Sequence, residues 1–334
     1  MKHFSLTIIR SIFFLICVFV SKESNSQNIS SKNQLSEVSR TYGYLLGQDY
    51  SLDRISREHP NLQMQAIQAK GEFKIKFGNA REKIESALKN ILAESYNTYE
   101  NNLNHQLDSV LSKQLLTEEI SNNFIKEVID RSKGNIPSPI IETLLIYQYN
   151  SNIEEEFTDK YTFNFNTKGH IKSKGTDWKM KIPKSWKASE AERPNIIQKF
   201  TSENGNGNYT LMLMIKDLPL PKGYKISNKE LLETFSLSNA KSMIPEGGVF
   251  ISHKRMIIDN QPGMAVESSH IEKRLDLEIK FRMIQYMFIY KNQMYIAQSM
   301  ITQKSSSMNL DQLSVRFYPL LRLMMNSIVL NAQY

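Results

Sequence analysis

Hydrophobic positions repeat with two different periods in the two halves of the chain. Between residues 34 and 149 the spacing is three and four. From Asn79 onward, Ala80, Ile84, Ala87, Leu88, Ile91 and Leu92 fall on one helical face. The same face continues through Tyr96, Tyr99, Leu103, Leu107, Val110 and Leu111 without Gly or Pro, predicting one helix of about 30 residues. Upstream, Pro60 and Gly78 punctuate two shorter helices, around Gln34–Arg57 and Leu62–Phe77. Downstream, Thr117 is placed to cap a helix that stops at Lys133-Gly134, and Pro137 and Pro139 precede a short apolar helix over Ile140–Tyr149. The expectation is an all-α domain of four or five helices.

Beyond residue 176 the period becomes two. Trp178, Met180 and Ile182 alternate with Lys179 and Lys181 and stop at Pro183. Short strands follow at Ile196–Phe200 and Tyr209–Ile215, separated by Asn204-Gly205-Asn206-Gly207-Asn208, a turn rich in residues that accept positive φ. One helix is expected over Asn228–Met243, ended by Pro245-Glu246-Gly247-Gly248. Four strands come next, at Val249–Ile258, Gly263–Glu272, Leu277–Tyr290 and Met294–Ile301. Met283–Tyr290 is apolar at both odd and even positions, which predicts a strand covered on both faces. A final helix over Leu310–Leu330 places Leu313, Phe317, Leu320, Met324 and Ile328 on one side, with Pro319 expected to kink it or mark its start. The order reads β-β-β-α-β-β-β-β-α. The fold class is therefore α+β, a helical domain followed by an antiparallel sheet sandwiched by helices.

The first residues have a different character. Lys2 and Arg10 precede a ten-residue apolar run, Ser11–Val20, too short to span a bilayer, where about twenty residues are needed. Ser24 and Ser26 are small residues at the positions a signal peptidase requires, so cleavage is expected between Ser26 and Gln27. The expected division is residues 1–26 signal peptide, 27–150 helical domain, 151–175 linker (with Tyr161–Phe165 a possible edge strand) and 176–334 sandwich domain. The localisation that follows is periplasmic or secreted. Cys17 is the single cysteine and falls inside the removed segment, so a mature chain would carry no disulfide, thiol nucleophile or Cys-ligated metal.

Charge is spread unevenly. The net +8 divides into +2 for residues 1–26, −1 for 27–150 and +7 for 151–334. A basic second half suits solvated lysines or an anionic envelope component. With an export signal and no basic run interleaved with aromatics, nucleic acid is not an expected partner. No second long apolar run exists, so no transmembrane segment is expected in the mature chain.

The order of elements, with its punctuation, resembles the PsbP-like α/β/α sandwich family, which includes DcrB-type envelope proteins. Trp178-Lys179-Met180-Lys181-Ile182-Pro183-Lys184-Ser185-Trp186 is similar to the family's opening strand and P-x-x-W corner. Asn260-Gln261-Pro262-Gly263-Met264-Ala265 resembles its mid-sheet turn, Phe281–Ile301 its central hairpin and Met325-Asn326-Ser327-Ile328 its closing helix. The resemblance covers roughly residues 176–331 and leaves the helical half unassigned. It implies a binding or scaffolding role and brings no catalytic residues with it.

Candidate chemistry is sparse. His59, His105, His170, His253 and His270 stand too far apart for a helical metal motif. His270 and Glu272 are two apart on a predicted strand and so share a face. Asp217, Glu230 and Glu233 are conceivable glycosidase carboxylates. Gly205-x-Gly207 lacks the helix and lysine of a phosphate loop and reads as a hairpin tip. Met212, Met214, Met264, Met283, Met287, Met294, Met300, Met324 and Met325 suit either an irregular sheet–helix core or an adaptable apolar groove. We assign no catalytic, cofactor-binding or metal residues and expect no cofactor. The favoured reading is an exported, non-enzymatic binding or accessory protein whose partner is a protein or an apolar ligand. The alternative is an envelope hydrolase with its site at an interdomain cleft, where His253 or His270 would meet a carboxylate.

Overall fold

The computed structural model describes residues 29–334, apart from 192, 222, 223, 225, 275, 276, 306 and 307. The expected signal segment, 1–26, lies outside the described residues. The chain divides into two units, Met1–Ser151 and Asn152–Tyr334. No described helix is long and apolar enough to cross a membrane.

The first unit is helical: α1 (Ile29–Glu58), α2 (Gln63–Leu92), α3 (Tyr96–Leu111), α4 (Glu118–Ser132) and α5 (Ile140–Gln148). Helix α2 is its centre, packing against α1, α4 and α5. Ala66, Ala69, Phe73, Phe77, Ala80, Ile84 and Leu88 form one buried stripe along it. That stripe explains a departure from expectation, because α2 runs straight through Gly78. An interior glycine costs about 1 kcal/mol relative to alanine, whereas burying a single Phe or Leu side chain returns about 1.5–3 kcal/mol. The break falls later, at Ala93 (φ 45°), and divides the expected 30-residue helix into the end of α2 and α3. Thr117 caps α4 as expected, accepting from the Ile120 amide, and Gly134 (φ 91°) follows its end.

Residues 151–175, expected as a linker with a possible edge strand at Tyr161–Phe165, hold a short helix and a strand. Helix α6 (Ile153–Thr158) packs on the final helix. Strand β1 (Thr162–Asn166) pairs antiparallel with β2 (Trp178–Pro183). The buried Glu156 carboxylate of α6 accepts from the Ser185 amide (2.8 Å) and hydroxyl (2.6 Å), fixing the corner that leads to buried Trp186.

The remaining strands are β3 (Lys187–Ser189), β4 (Ile196–Thr201), β5 (Tyr209–Asp217), β6 (Val249–Ile258), β7 (Gln261–Arg274), β8 (Leu277–Tyr290), β9 (Gln293–Gln303) and β10 (Val329–Leu330). Two sheets result, where one was expected. Seven strands pair antiparallel in the order β3-β4-β5-β9-β8-β7-β6, and β1-β2-β10 form a smaller sheet. The β6–β7 and β8–β9 reversals place Asp259-Asn260 and Lys291-Asn292 at positive φ, the two-residue hairpin geometry that matches strand twist.

The seven-stranded sheet packs a hydrophobic core on each face. On one, Tyr209, Leu211, Leu213, Ile284, Phe288, Tyr295 and Ala297 pack with Trp178 and Met180 of the small sheet. Phe317, Leu320, Leu321 and Met324 of α9 (Leu310–Asn326) complete this core. On the other face, Met214, Met264, Val266, Met287, Ile289 and Ile296 pack with Phe235 and Ala240. Strand β8 thus buries both sets of alternating positions, as its sequence predicts.

Two helix boundaries differ from expectation. The segment 228–243 forms α7 (Asn228–Thr234) and α8 (Leu237–Ser242), because Ser236 starts a new helix by accepting from the Asn239 amide. Helix α9 runs unbroken through Pro319 from an Asn309 cap, and Val315, whose carbonyl loses its donor to the proline, is exposed. It ends at Asn326, and Val329–Leu330 pairs with Lys179 and Trp178 as a strand.

Candidate functional site

Helix α9 crosses the seven-stranded sheet over β8 and β9 and leaves the same face of β6 and β7 uncovered. The step between helix and bare sheet is an open groove of about 630 Å³. Its floor is built by alternation. Ser252, Lys254, Met256 and Ile258 of β6, Ala265 and Glu267 of β7, and Ile284 and Tyr286 of β8 all point to this side. Tyr318, Arg322, Met325 and Asn326 of α9, spaced at four, three and one, form the wall, and Ile328 and Val329 close one end.

The acids in the groove are already engaged. Glu267 accepts from the Tyr318 hydroxyl and from Ser252 Oγ (3.1 Å), and Arg282 Nε stands 3.4 Å behind it. Arg282 is itself donor to Asp311 at the start of α9. Burial, reinforced by the bond to Glu267, pushes the Tyr318 phenol above its ordinary value. Asp259 accepts from the Leu330 amide (2.6 Å), Gln333 Nε2 (3.0 Å) and the Tyr334 hydroxyl (2.8 Å). Lys254 and Arg322, on opposite sides of the groove, are exposed, and among the described residues neither has a hydrogen-bond or ion-pair partner. Tyr286 lies between these influences. Burial raises its pKa, and the Arg322 charge pulls it part of the way back.

The residues singled out from sequence lie elsewhere and do not converge. His253 donates through Nε2 to the Phe235 carbonyl (3.1 Å), where Arg255 Nε also donates (3.1 Å). His270, on the same strand face as Glu272, is buried on the α7–α8 side. It stacks on Phe281 with centroids 4.9 Å apart and hydrogen-bonds Ser268 Oγ (2.8 Å). Desolvation lowers its pKa against the opposing charge of Glu272. Among the described residues there is no group of three metal-capable side chains.

Asp217 pairs with Lys174, which holds its carboxyl below the usual range. Glu230 is committed to a capping box with Ser227 and accepts from Tyr224, which together lower it to about 2. Gly205 and Gly207 sit at a hairpin tip, with the Gly207 amide bonded to the Ser202 carbonyl (2.8 Å). Of the methionines, Met214, Met264, Met287 and Met324 fill the two cores, and Met325 also lines the groove.

Sequence reasoning missed Lys254, Glu267, Tyr318 and Arg322. The available signal was the unbroken polar run Ser252-His253-Lys254-Arg255 inside an otherwise apolar strand, which marks an edge strand with polar positions on both faces.

No family model and no curated protein matches the chain. Among solved structures it is similar to the solution structure of cyanobacterial PsbP (CyanoP) from Synechocystis sp. PCC 6803. That match has a TM-score of 0.31 and 12% identity, covering 51% of this chain and 92% of that one. A protein of unknown function from Pseudomonas aeruginosa is similar with a TM-score of 0.24 and 12% identity, covering 45% of this chain and 90% of that one.

Proposed function

We propose that the chain is an exported binding or accessory protein of the bacterial envelope, with a PsbP-like second unit that holds an apolar ligand in the groove beside α9. The observation that carries this reading is the groove itself. It is concave, about 630 Å³, and its lining joins apolar Met256, Ala265, Ile284 and Met325 to polar Lys254, Glu267, Tyr318 and Arg322. Ligand pockets of small molecules span about 300–1,000 Å³ with mostly apolar walls and a few placed polar groups. Export is supported by the charged start, the short apolar run and the small residues at Ser24 and Ser26. The secreted protein is expected to begin at Gln27, which intact-mass measurement reads directly.

The binding test is titration of the full chain with the neutral fluorophore N-phenyl-1-naphthylamine. Saturable enhancement is expected, abolished by Ala265→Trp in the groove floor and retained in Lys181→Trp on exposed β2. Absence of saturable binding, or equal binding by Ala265→Trp, overturns the reading.

A further inference from the structure

We infer that the groove selects a single-chain anionic amphiphile, its alkyl chain on the sheet floor and its acidic head between Lys254 and Arg322. This rests on the groove being the binding site and adds what it binds.

The first argument concerns hydrogen bonding in the floor. Strands β7 and β8 are paired on both sides, with unbroken register from Gly263 to Arg274 and from Ser252 to Ile258. The backbone beneath Ala265, Ile284 and Tyr286 therefore offers no free donor or acceptor. A peptide laid across it would leave its own N–H and C=O groups unmet, at about 1–3 kcal/mol for each one desolvated. An alkyl chain carries no such groups. A peptide strand adding to the free edge of β6 would lie outboard of this groove, beside β6 rather than across three strands.

The second argument is charge. Both acids of the groove are held by donors of the protein's own: Glu267 by Tyr318, Ser252 and Arg282, and Asp259 by Leu330, Gln333 and Tyr334. Lys254 and Arg322 have no such partner among the described residues. Two cations flanking an apolar floor complement one acidic head joined to one apolar tail. A carboxylate or a phosphate monoester meets the same requirement, and Arg322 offers the planar fork that either accepts.

The test is calorimetric titration of the full chain, below micelle concentration, with four twelve-carbon probes: dodecanoate, dodecyl phosphate, dodecyl maltoside and dodecyltrimethylammonium. The acidic probes are expected to bind at least about tenfold more tightly than the maltoside, and the ammonium probe most weakly. In Lys254→Gln/Arg322→Gln the advantage of the acidic heads over the maltoside should fall to within about twofold. Both positions are exposed, so the variant is expected to fold, and circular dichroism checks that it does.

Equal binding of acidic and neutral probes overturns this inference and leaves the groove reading intact. An acidic preference that survives the double substitution places the head elsewhere and also overturns it. Failure of all four probes overturns both. Binding to vesicles of phosphatidylglycerol without binding to any monomeric probe would assign the cations to a membrane surface instead.

Discussion

Strands β6 and β7 meet two different environments on their two faces. Towards α7 and α8 they are closed, with Met264 and Val266 packed on Phe235, and with His253 and Arg255 both bonded to the carbonyl exposed by the helix break there. Towards α9 the same strands present Ser252, Lys254, Ala265 and Glu267 to an open groove. The difference teaches that sheet coverage is set by where the flanking helices stop. Side chains on the closed face should therefore govern stability, and those on the open face should govern ligand binding with little effect on folding.

The hardest test of that division is Phe235→Ala. Phe235 is 2% exposed, and its truncation should cost about 3–5 kcal/mol in urea unfolding of the second unit. A loss below about 1 kcal/mol would mean that α7 and α8 do not seal this face. Next, Arg255→Ala removes donors to Phe235 and Leu232 and should cost about 0.5–1.5 kcal/mol. No change would reduce that contact to a surface bond.

His270 adds a pH signature to the closed face. Its folded pKa lies below the ordinary 6.5, so the unfolded chain binds the extra proton first. Its contribution is complete above pH 6.5 and is lost as pH falls from there through the folded pKa. His270→Phe should flatten that limb of a stability profile, and an unchanged limb would assign it to other groups. The smallest expected effect is on the open face. Lys254→Gln and Arg322→Gln should each shift stability by no more than about 0.5 kcal/mol. A larger loss would make the two cations part of the scaffold.

Much of the fold could be read from periodicity, because burial on one or two faces writes directly into the spacing of apolar residues. The stretch Met283–Tyr290 announced its two-sided cover, and Thr117 and Gly134 marked their helix ends through local hydrogen bonding and positive φ. The misread places lacked such local chemistry. Ala93 ends a helix with no Gly or Pro, and Gly78 sits inside one because a continuous buried stripe outweighs its propensity. Val329–Leu330 reads as helix until its partner, Trp178, is known. The groove was the least legible feature. Its residues come from five elements, and the void exists only because α9 lies over β8 and β9 and not over β6 and β7. No window of sequence contains that offset.

The small sheet has a consequence for how the second unit is made. Strand β2, whose Trp178 anchors the main core, is completed by β10, and Asn331 bonds Asp177 across a separation of 154 residues. Contacts that join distant positions form slowly, since the intervening loop must be closed before it is rewarded. During synthesis the sandwich therefore cannot close until its last strand has emerged.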